Sequence, residues 1–239
     1  MQELPTIEQM LKSGMHFGHR TSKWHPKMAP YIFGERNGIH IIDLVKARQA
    51  MSGALDFMSK FAAESKSILL VGTKIQVKQS IRQTADKHSF PYVTEKWLGG
   101  CLTNFGNIRQ LVRKYEKLLS EKEAGKYSRF TKKERLDIDR TIEKLEMKVG
   151  GLRNMTRLPD ALFIWDIKNE KIAVEEARKK NIPIIAVCDT NADPTLINYP
   201  IPANDDATKT IKLIMSAVDE AITAGKAAKG REKAAPDKK

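Results

Sequence analysis

Cysteine is scarce. Only Cys101 and Cys188 occur in 239 residues, far apart and with no CxxC companion, which excludes a disulfide framework and a thiolate zinc site. Two reduced, partly buried thiols are the expectation. Long apolar runs are missing too: none approaches the ~20 residues that span a bilayer, so no membrane-spanning helix is predicted. The opening MQELPTIEQMLKSG lacks the basic-then-apolar layout of a secretion signal, and a cytoplasmic chain with no membrane partner is expected. Glycine is sparse where a nucleotide would need it. After SILLVG (67–72) the stretch VGTKIQVKQS supplies one glycine, whereas a dinucleotide fingerprint needs three at fixed spacing and a P-loop needs GxxxxGK followed by Ser or Thr. No GxSxG, HExxH or zinc-deaminase pattern occurs either, so no hydrolytic chemistry is signalled.

Positive charge, by contrast, is abundant. Lys and Arg number 42 against 29 Asp and Glu, giving a net charge of +13 and a pI near 9.6. That balance suits a polyanionic partner, while 41% hydrophobic residues are ample for a core.

The apolar runs SILLVG, DALFIWD (160–166) and IPIIAVCD (182–189) read as buried strands, with FPYVTEKWL and NYPIPAN adding two short ones. Helical patterns at 74–88, 170–180 and 206–225 alternate with them, which predicts an α/β fold with a parallel five-stranded sheet flanked by helices. Ahead of this core, YIFGERNGIHII with Asn37-Gly38 predicts a β-hairpin, and a helix is expected from Asp43 to Ala63. Between 103 and 150, Phe105, Ile108, Val112, Tyr115 and Leu119, then Ile138, Ile142, Leu145, Val149 and Leu152, recur every three or four residues. This predicts an inserted, projecting antiparallel helical hairpin of coiled-coil type, with a capping box from Thr131 to Glu134 and Gly150-Gly151 as its stop. The domain reading is therefore residues 1–102 and 151–225 as one α/β globular unit with an N-terminal hairpin extension, and 103–150 as the insertion. Residues 226–239 read as a basic flexible tail, because GKAAKGREKAAPDKK holds no large apolar side chain.

Two basic regions are candidate grips on nucleic acid. In the N-terminal stretch, Arg20, Lys23, Lys27 and Arg36 are placed to meet phosphates, with Trp24, His25 and Phe17 to stack or to cover the sheet. Residues 101–158 carry fifteen Lys/Arg against eight acids, including Arg109, Arg113, Lys114, Lys117, Lys132 and Lys133 on the hairpin and Arg153 and Arg157 at its root. For any single residue of the hairpin, a solvated helix face is the favoured reading. A carboxylate group, Asp166, Asp189, Asp193, Asp205 and Asp206, falls at strand ends and helix starts, where with His16 or His19 it could hold a divalent ion. The alternative function is a nucleotide- or metal-binding α/β enzyme using this cluster and Lys74.

Six segments in order, GMHFGHRTSKWHPKMAPYIFGERNGIHIIDL (14–44), VGTK (71–74), KWLGGCLTNF (96–105), LPDALFIWD (158–166), IPIIAVCDTNADP (182–194) and YPIPANDDA (199–207), resemble the bacterial small-subunit ribosomal protein S two family. The resemblance implies a Rossmann-like parallel sheet with an inserted helical hairpin, in a noncatalytic component of the small (30S) ribosomal subunit that binds 16S rRNA and neighbouring small-subunit proteins and helps recruit the mRNA-binding ribosomal protein S one. The basic residues above, with Lys96 from the KWLGG motif, would be the rRNA grips. It implies no required cofactor but a possible structural divalent ion, Zn or Mg, on His16, Asp189, Asp205 and Asp206. Departures are small: His25 stands where the family usually has Asn, Lys96 where Arg is usual, and Ala203 where Gly is usual. Lys96 keeps charge but lacks the planar guanidinium fork.

Overall fold

The structure, a computed structural model, describes residues 4–234. Helix α1 (Ile7–Ser13) starts on a capping box, in which Thr6 Oγ1 accepts from the Gln9 N–H and Gln9 Oε1 accepts from the Thr6 N–H. Strands β1 (Phe17–Arg20), β2 (Ile32–Arg36) and β3 (Ile39–Ile42) then form a small antiparallel sheet in the order β1-β3-β2. The β2–β3 turn is Asn37-Gly38, with φ of 53° and 72°, as the predicted hairpin requires. Strand β1 has no such sequence signal: FGHR is short and polar, and its pairing with β3 is irregular between Phe17 and Arg20. Asp43 caps α2 (Leu44–Ala63), its Oδ1 accepting from the Val45 and Lys46 N–H groups at 2.9 and 3.2 Å.

The large sheet contains β4 (Ile68–Val71), β5 (Tyr92–Val93), β6 (Ala161–Trp165), β7 (Ile184–Cys188) and β8 (Tyr199–Pro202), in the order β5-β4-β6-β7-β8. Every neighbouring pair is parallel. Its central strands are buried on both faces, and the two-residue alternation divides them between two cores. Ile68, Leu70, Phe163, Trp165, Ile185 and Val187 join α1, α2, α3 (Ile75–His88) and α7 (Thr208–Ala234). Leu69, Val71, Leu162, Ile164, Ile184 and Ala186 meet α6 (Lys171–Lys179) and the base of the insertion. Helices α2 and α7 approach so closely that a Cβ on Gly225 would lie 2.1 Å from the Ser59 carbonyl oxygen, which only glycine avoids.

The insertion between β5 and β6 is α4 (Phe105–Glu123) and α5 (Lys132–Val149), joined by a 3-10 turn at Lys126–Arg129. Each helix is roughly 28 Å long at 1.5 Å per residue. Its apolar seam is closed near the base, where Ile108, Val112, Tyr115, Ile142, Leu145 and Val149 are buried, and opens outward to half-exposed Leu119 and Ile138 and exposed Leu136. The Thr131–Glu134 capping box forms as predicted. Gly150 does not stop α5 with a left-handed turn; its φ is −55°, and the chain runs on into a 3-10 turn, Gly150–Leu152.

The tail expectation is corrected over residues 226–234, which continue α7. Ala and Lys are strong helix formers, and the first lysines are tied down: Lys226 Nζ donates to the His88 carbonyl at 2.8 Å and Lys229 Nζ to Ser65 Oγ. Residues 235–239 lie outside the described residues.

Candidate functional site

The large sheet reverses its winding direction between β4 and β6, since β5 lies on one side of β4 and β6 to β8 on the other. In open α/β sheets the crevice beyond the strand ends at such a point is where ligands bind. Here Gly72-Thr73-Lys74 follows β4 and Asp166 follows β6, and the Lys74 ammonium fills the gap between carboxylates. Its Nζ is 2.9 Å from Asp166 Oδ2, 2.9 Å from Asp205 Oδ1 and 2.8 Å from Asp206 Oδ1. Burial pulls the ammonium toward neutrality, but the three carboxylates outweigh it and hold its pKa above the ordinary lysine value. Lys74 is thus consumed by the fold, and the enzyme alternative loses the cation it needed for phosphate.

Asp205 is the least satisfied member. It is fully buried, burial first and then Asp189 and Asp166 push its pKa up to about 7, and Lys74 opposes them. Neither carboxylate oxygen accepts a well-directed hydrogen bond, so the contact from Lys74 to Oδ1 is electrostatic and Oδ2 has no partner. Asp189 is committed elsewhere: Oδ1 accepts from the Thr190 N–H and hydroxyl, and Oδ2 lies 3.1 Å from His19 Nδ1. That hydrogen bond, opposed by burial, raises the His19 pKa.

Ligand atoms of His19, Asp205 and Asp206 lie within 4.8 Å of one another. His16, which the resemblance implied as a ligand, is outside this group. Its ring lies against Phe17 with centroids 4.0 Å apart, and its Nδ1 is buried without a partner. Asp189 adjoins the group as an orienting neighbour, its Oδ2 3.1 Å from His19 Nδ1 and accepting from the Asp205 N–H at 3.4 Å. One imidazole and two carboxylates suit zinc better than magnesium, which prefers oxygen and water. The arrangement opens onto a cleft of about 320 Å³ that Arg20 and Lys23 also line.

The other predicted residues divide by what holds them. Lys27 pairs with Asp193 at 2.9 Å, Arg109 donates to the Met155 carbonyl at 3.2 Å, and Arg157 makes two bonds to Asp160 at 3.0 and 2.9 Å. Arg153 lies 3.9 Å from Glu116, and Lys117 acts on Glu121 one turn on. Arg20, Lys23, Arg36, Lys96, Arg113, Lys114, Lys132 and Lys133 are exposed and form no ion pair within 4.0 Å among the described residues. Trp24 is exposed, 5.0 Å from the His40 ring, and Phe17 is exposed as well, so neither covers the sheet as core. The His25 N–H donates to the Thr190 carbonyl at 2.8 Å, which fastens the N-terminal stretch to the loop after β7.

Glu176 on α6 carries no motif, yet it organises the KWLGGCLTNF segment. Its carboxylate accepts from Trp97 Nε1, the Gly100, Leu102 and Thr103 N–H groups and the Thr103 hydroxyl, at 2.7 to 3.1 Å. Only its place on the buried face of an amphipathic helix marks it in the sequence. Both cysteines are buried, and burial pushes the Cys101 thiol up to about 12, which leaves it unreactive at neutral pH.

The family described as Ribosomal protein S2 matches residues 10–225. Small ribosomal subunit protein uS2 of Coprothermobacter proteolyticus is 46% identical over 221 residues, covering 92% of this chain and 82% of that one. The uS2 proteins of Flavobacterium johnsoniae and Flavobacterium psychrophilum are 48% identical over 227 and 229 residues, with 95% and 96% of this chain and 89% and 86% of theirs covered. No described helix is long and apolar enough to cross a membrane. With the parallel sheet, the inserted helical hairpin and matched residues over nearly its whole described length, the chain belongs to the ribosomal protein S2 family.

Proposed function

We infer that this protein is a structural, non-enzymatic component of the small ribosomal subunit in the cytoplasm, and that it binds 16S rRNA through two basic surfaces. Family membership carries this reading. The first surface is the small sheet and its 3-10 segments, with Arg20, Lys23 and Arg36 free for phosphates, Lys27 held by Asp193, and Trp24 and His25 beside them. The second is the hairpin, with Arg113, Lys114, Lys132 and Lys133 outward, Lys117 and Arg109 adjoining, Arg153 and Arg157 at its root, and Lys96 near its start. Neighbouring subunit proteins and the mRNA-binding ribosomal protein S one complete the proposed partners.

Each phosphate contact releases counterions, so affinity falls with rising salt in proportion to the number of contacts. Purified protein added to small subunits lacking it is expected to sediment with them in a sucrose gradient at low salt and to dissociate as salt rises. Salt-insensitive binding would remove the phosphate-grip reading. Subunits without the chain are expected to lose protein S one in the same gradients, and its full retention would remove the recruitment role.

A structural divalent ion, zinc in preference to magnesium, is the second part of this reading. His19, Asp205 and Asp206 would hold it, and the unpartnered, buried Asp205 Oδ2 supports the site, while the Lys74 ammonium beside two of the donors competes with it. Elemental analysis after dialysis without chelator is expected to find about one ion per chain; only a trace would remove the ion.

A further inference from the structure

One cleft among the described residues is lined differently from the basic surface. It measures about 720 Å³ and lies where α3 and β5 face the base of the hairpin. Five carboxylates line it, those of Asp86, Glu95, Glu116, Glu143 and Glu146, against the three cations Arg82, Lys148 and Arg153. With Lys78 on Glu95 and the Lys226 ammonium 4.9 Å over the Phe90 ring, positive and negative groups near balance here, which is more acidic than the average of a chain of net charge +13. Three of the carboxylates already have cations: Arg82 lies 3.7 Å from Asp86, Lys78 lies 2.5 Å from Glu95, and Arg153 lies 3.9 Å from Glu116. Glu143 and Glu146, both exposed on α5, form no ion pair within 4.0 Å among the described residues.

The cleft also offers apolar contact. Half-buried Tyr92 lines it, and Met147 is 58% exposed on the same helix as Glu143 and Glu146. An exposed, flexible thioether beside a half-buried phenol ring is a surface that adapts to an apolar side chain or to the stem of a lysine or arginine. A polyphosphate chain is disfavoured here, because it would bring its charge against these carboxylates.

We propose that this cleft is a protein-docking site that takes an extended Lys/Arg-rich segment of a partner protein, with Glu143 and Glu146 meeting its cations and Met147 and Tyr92 its aliphatic stems. RNA and protein partners then meet separate parts of the surface: phosphates at the N-terminal sheet and the outward hairpin cations, and a basic polypeptide at the hairpin base. The inference stands on the cleft's charge and shape and does not depend on ribosomal membership.

The test uses the full chain and a fluorescein-labelled octa-arginine peptide, read by anisotropy at low salt, with a labelled octauridylate RNA in parallel. The peptide is expected to bind despite the protein's net positive charge and to shift the methyl resonance of Met147 in carbon-13-methionine-labelled protein. Glu143→Gln with Glu146→Gln should weaken the peptide roughly fivefold, as expected for loss of two exposed ion pairs. Glu64→Gln with Glu175→Gln, remote acids on α6 and after α2, should leave it unchanged. Absence of peptide binding, an unmoved Met147 resonance, equal weakening by both pairs, or displacement of the peptide from the cleft by the RNA would each overturn the proposal. Co-sedimentation with subunits is a separate readout, so failure here leaves the ribosomal reading standing and the reverse holds too.

Discussion

The carboxyl end of the large sheet and the helical hairpin carry charge in opposite ways. At the sheet, Lys74 is enclosed by Asp166, Asp205 and Asp206 within 2.9 Å, and nearly every charge has an internal partner. On the hairpin, Arg113, Lys114, Lys132 and Lys133 point outward and have no ion-pair partner among the described residues. Its surface pairs, such as Lys122 with Asp139 at 2.7 Å, are exposed and worth little. Buried charge serves the fold because desolvation makes it expensive to leave unpaired, whereas exposed charge costs the fold almost nothing and is free for a partner.

The largest effect expected on this contrast is from Lys74→Met. Removing the ammonium leaves buried carboxylates uncompensated, and a loss of about 3–5 kcal/mol is expected in urea unfolding. A loss below ~1 kcal/mol would mean that the cluster relaxes by protonation, and the sheet end would then resemble the hairpin.

Glu176→Gln comes next, at about 2–3 kcal/mol, because a side-chain amide must turn an N–H toward donors that now face a carboxylate oxygen. Burial works against the charge of Glu176, but the Thr103, Leu102 and Gly100 N–H groups and Trp97 outweigh it and hold its pKa below the ordinary value. With the folded pKa below the unfolded one, its stabilisation is complete above the unfolded value, about pH 4.3, and is lost as pH falls through the folded one. The variant should therefore be less acid-sensitive than the parent. Asp205 has the opposite sign: its folded pKa is raised from 3.8 to about 7, so its contribution is full below the lower value and is lost as pH rises toward the upper.

The smallest effect on stability is expected from the combined Arg113→Glu, Lys114→Glu and Lys133→Glu. Unfolding should stay within about 0.5 kcal/mol of the parent, as for surface changes away from packed or paired groups. Association with the subunit in low-salt gradients should nevertheless fall. Unchanged occupancy would sharpen the contrast differently, by leaving the small sheet as the dominant contact.

Much of the fold was legible because it rests on local rules. The apolar runs ending at Gly72, Asp166 and Asp189 mark strands, Asn37-Gly38 marks a turn, and Asp43 and Thr131 mark helix starts, each through chemistry within a few residues. The charged sites were less so. His16 and His19 sit in one motif, and only the pairing of His19 with Asp189, 170 residues away, selects between them. Lys74 looks like a phosphate ligand until Asp205 and Asp206 come round from beyond β8. Glu176 is one acid among many on a charged helix until its donors arrive from a segment 73 to 79 residues earlier. Gly150 is in a similar position, since a glycine pair at a helix end suggests a left-handed stop, but Gly151 is needed for closeness: a Cβ there would lie 2.3 Å from the Tyr92 carbonyl oxygen.

The position of the insertion also has a consequence for synthesis. Strand β4 must wait for β6, about 90 residues downstream, since the Ser67 N–H and its Asp160 acceptor are 93 positions apart. The two helices between them need only each other to begin closing their seam, and a nascent chain emerging from its N-terminus delivers them first. The arm thus emerges before the carboxylate that fastens its base, and until Glu176 emerges the Trp97 to Thr103 segment has none of those five bonds.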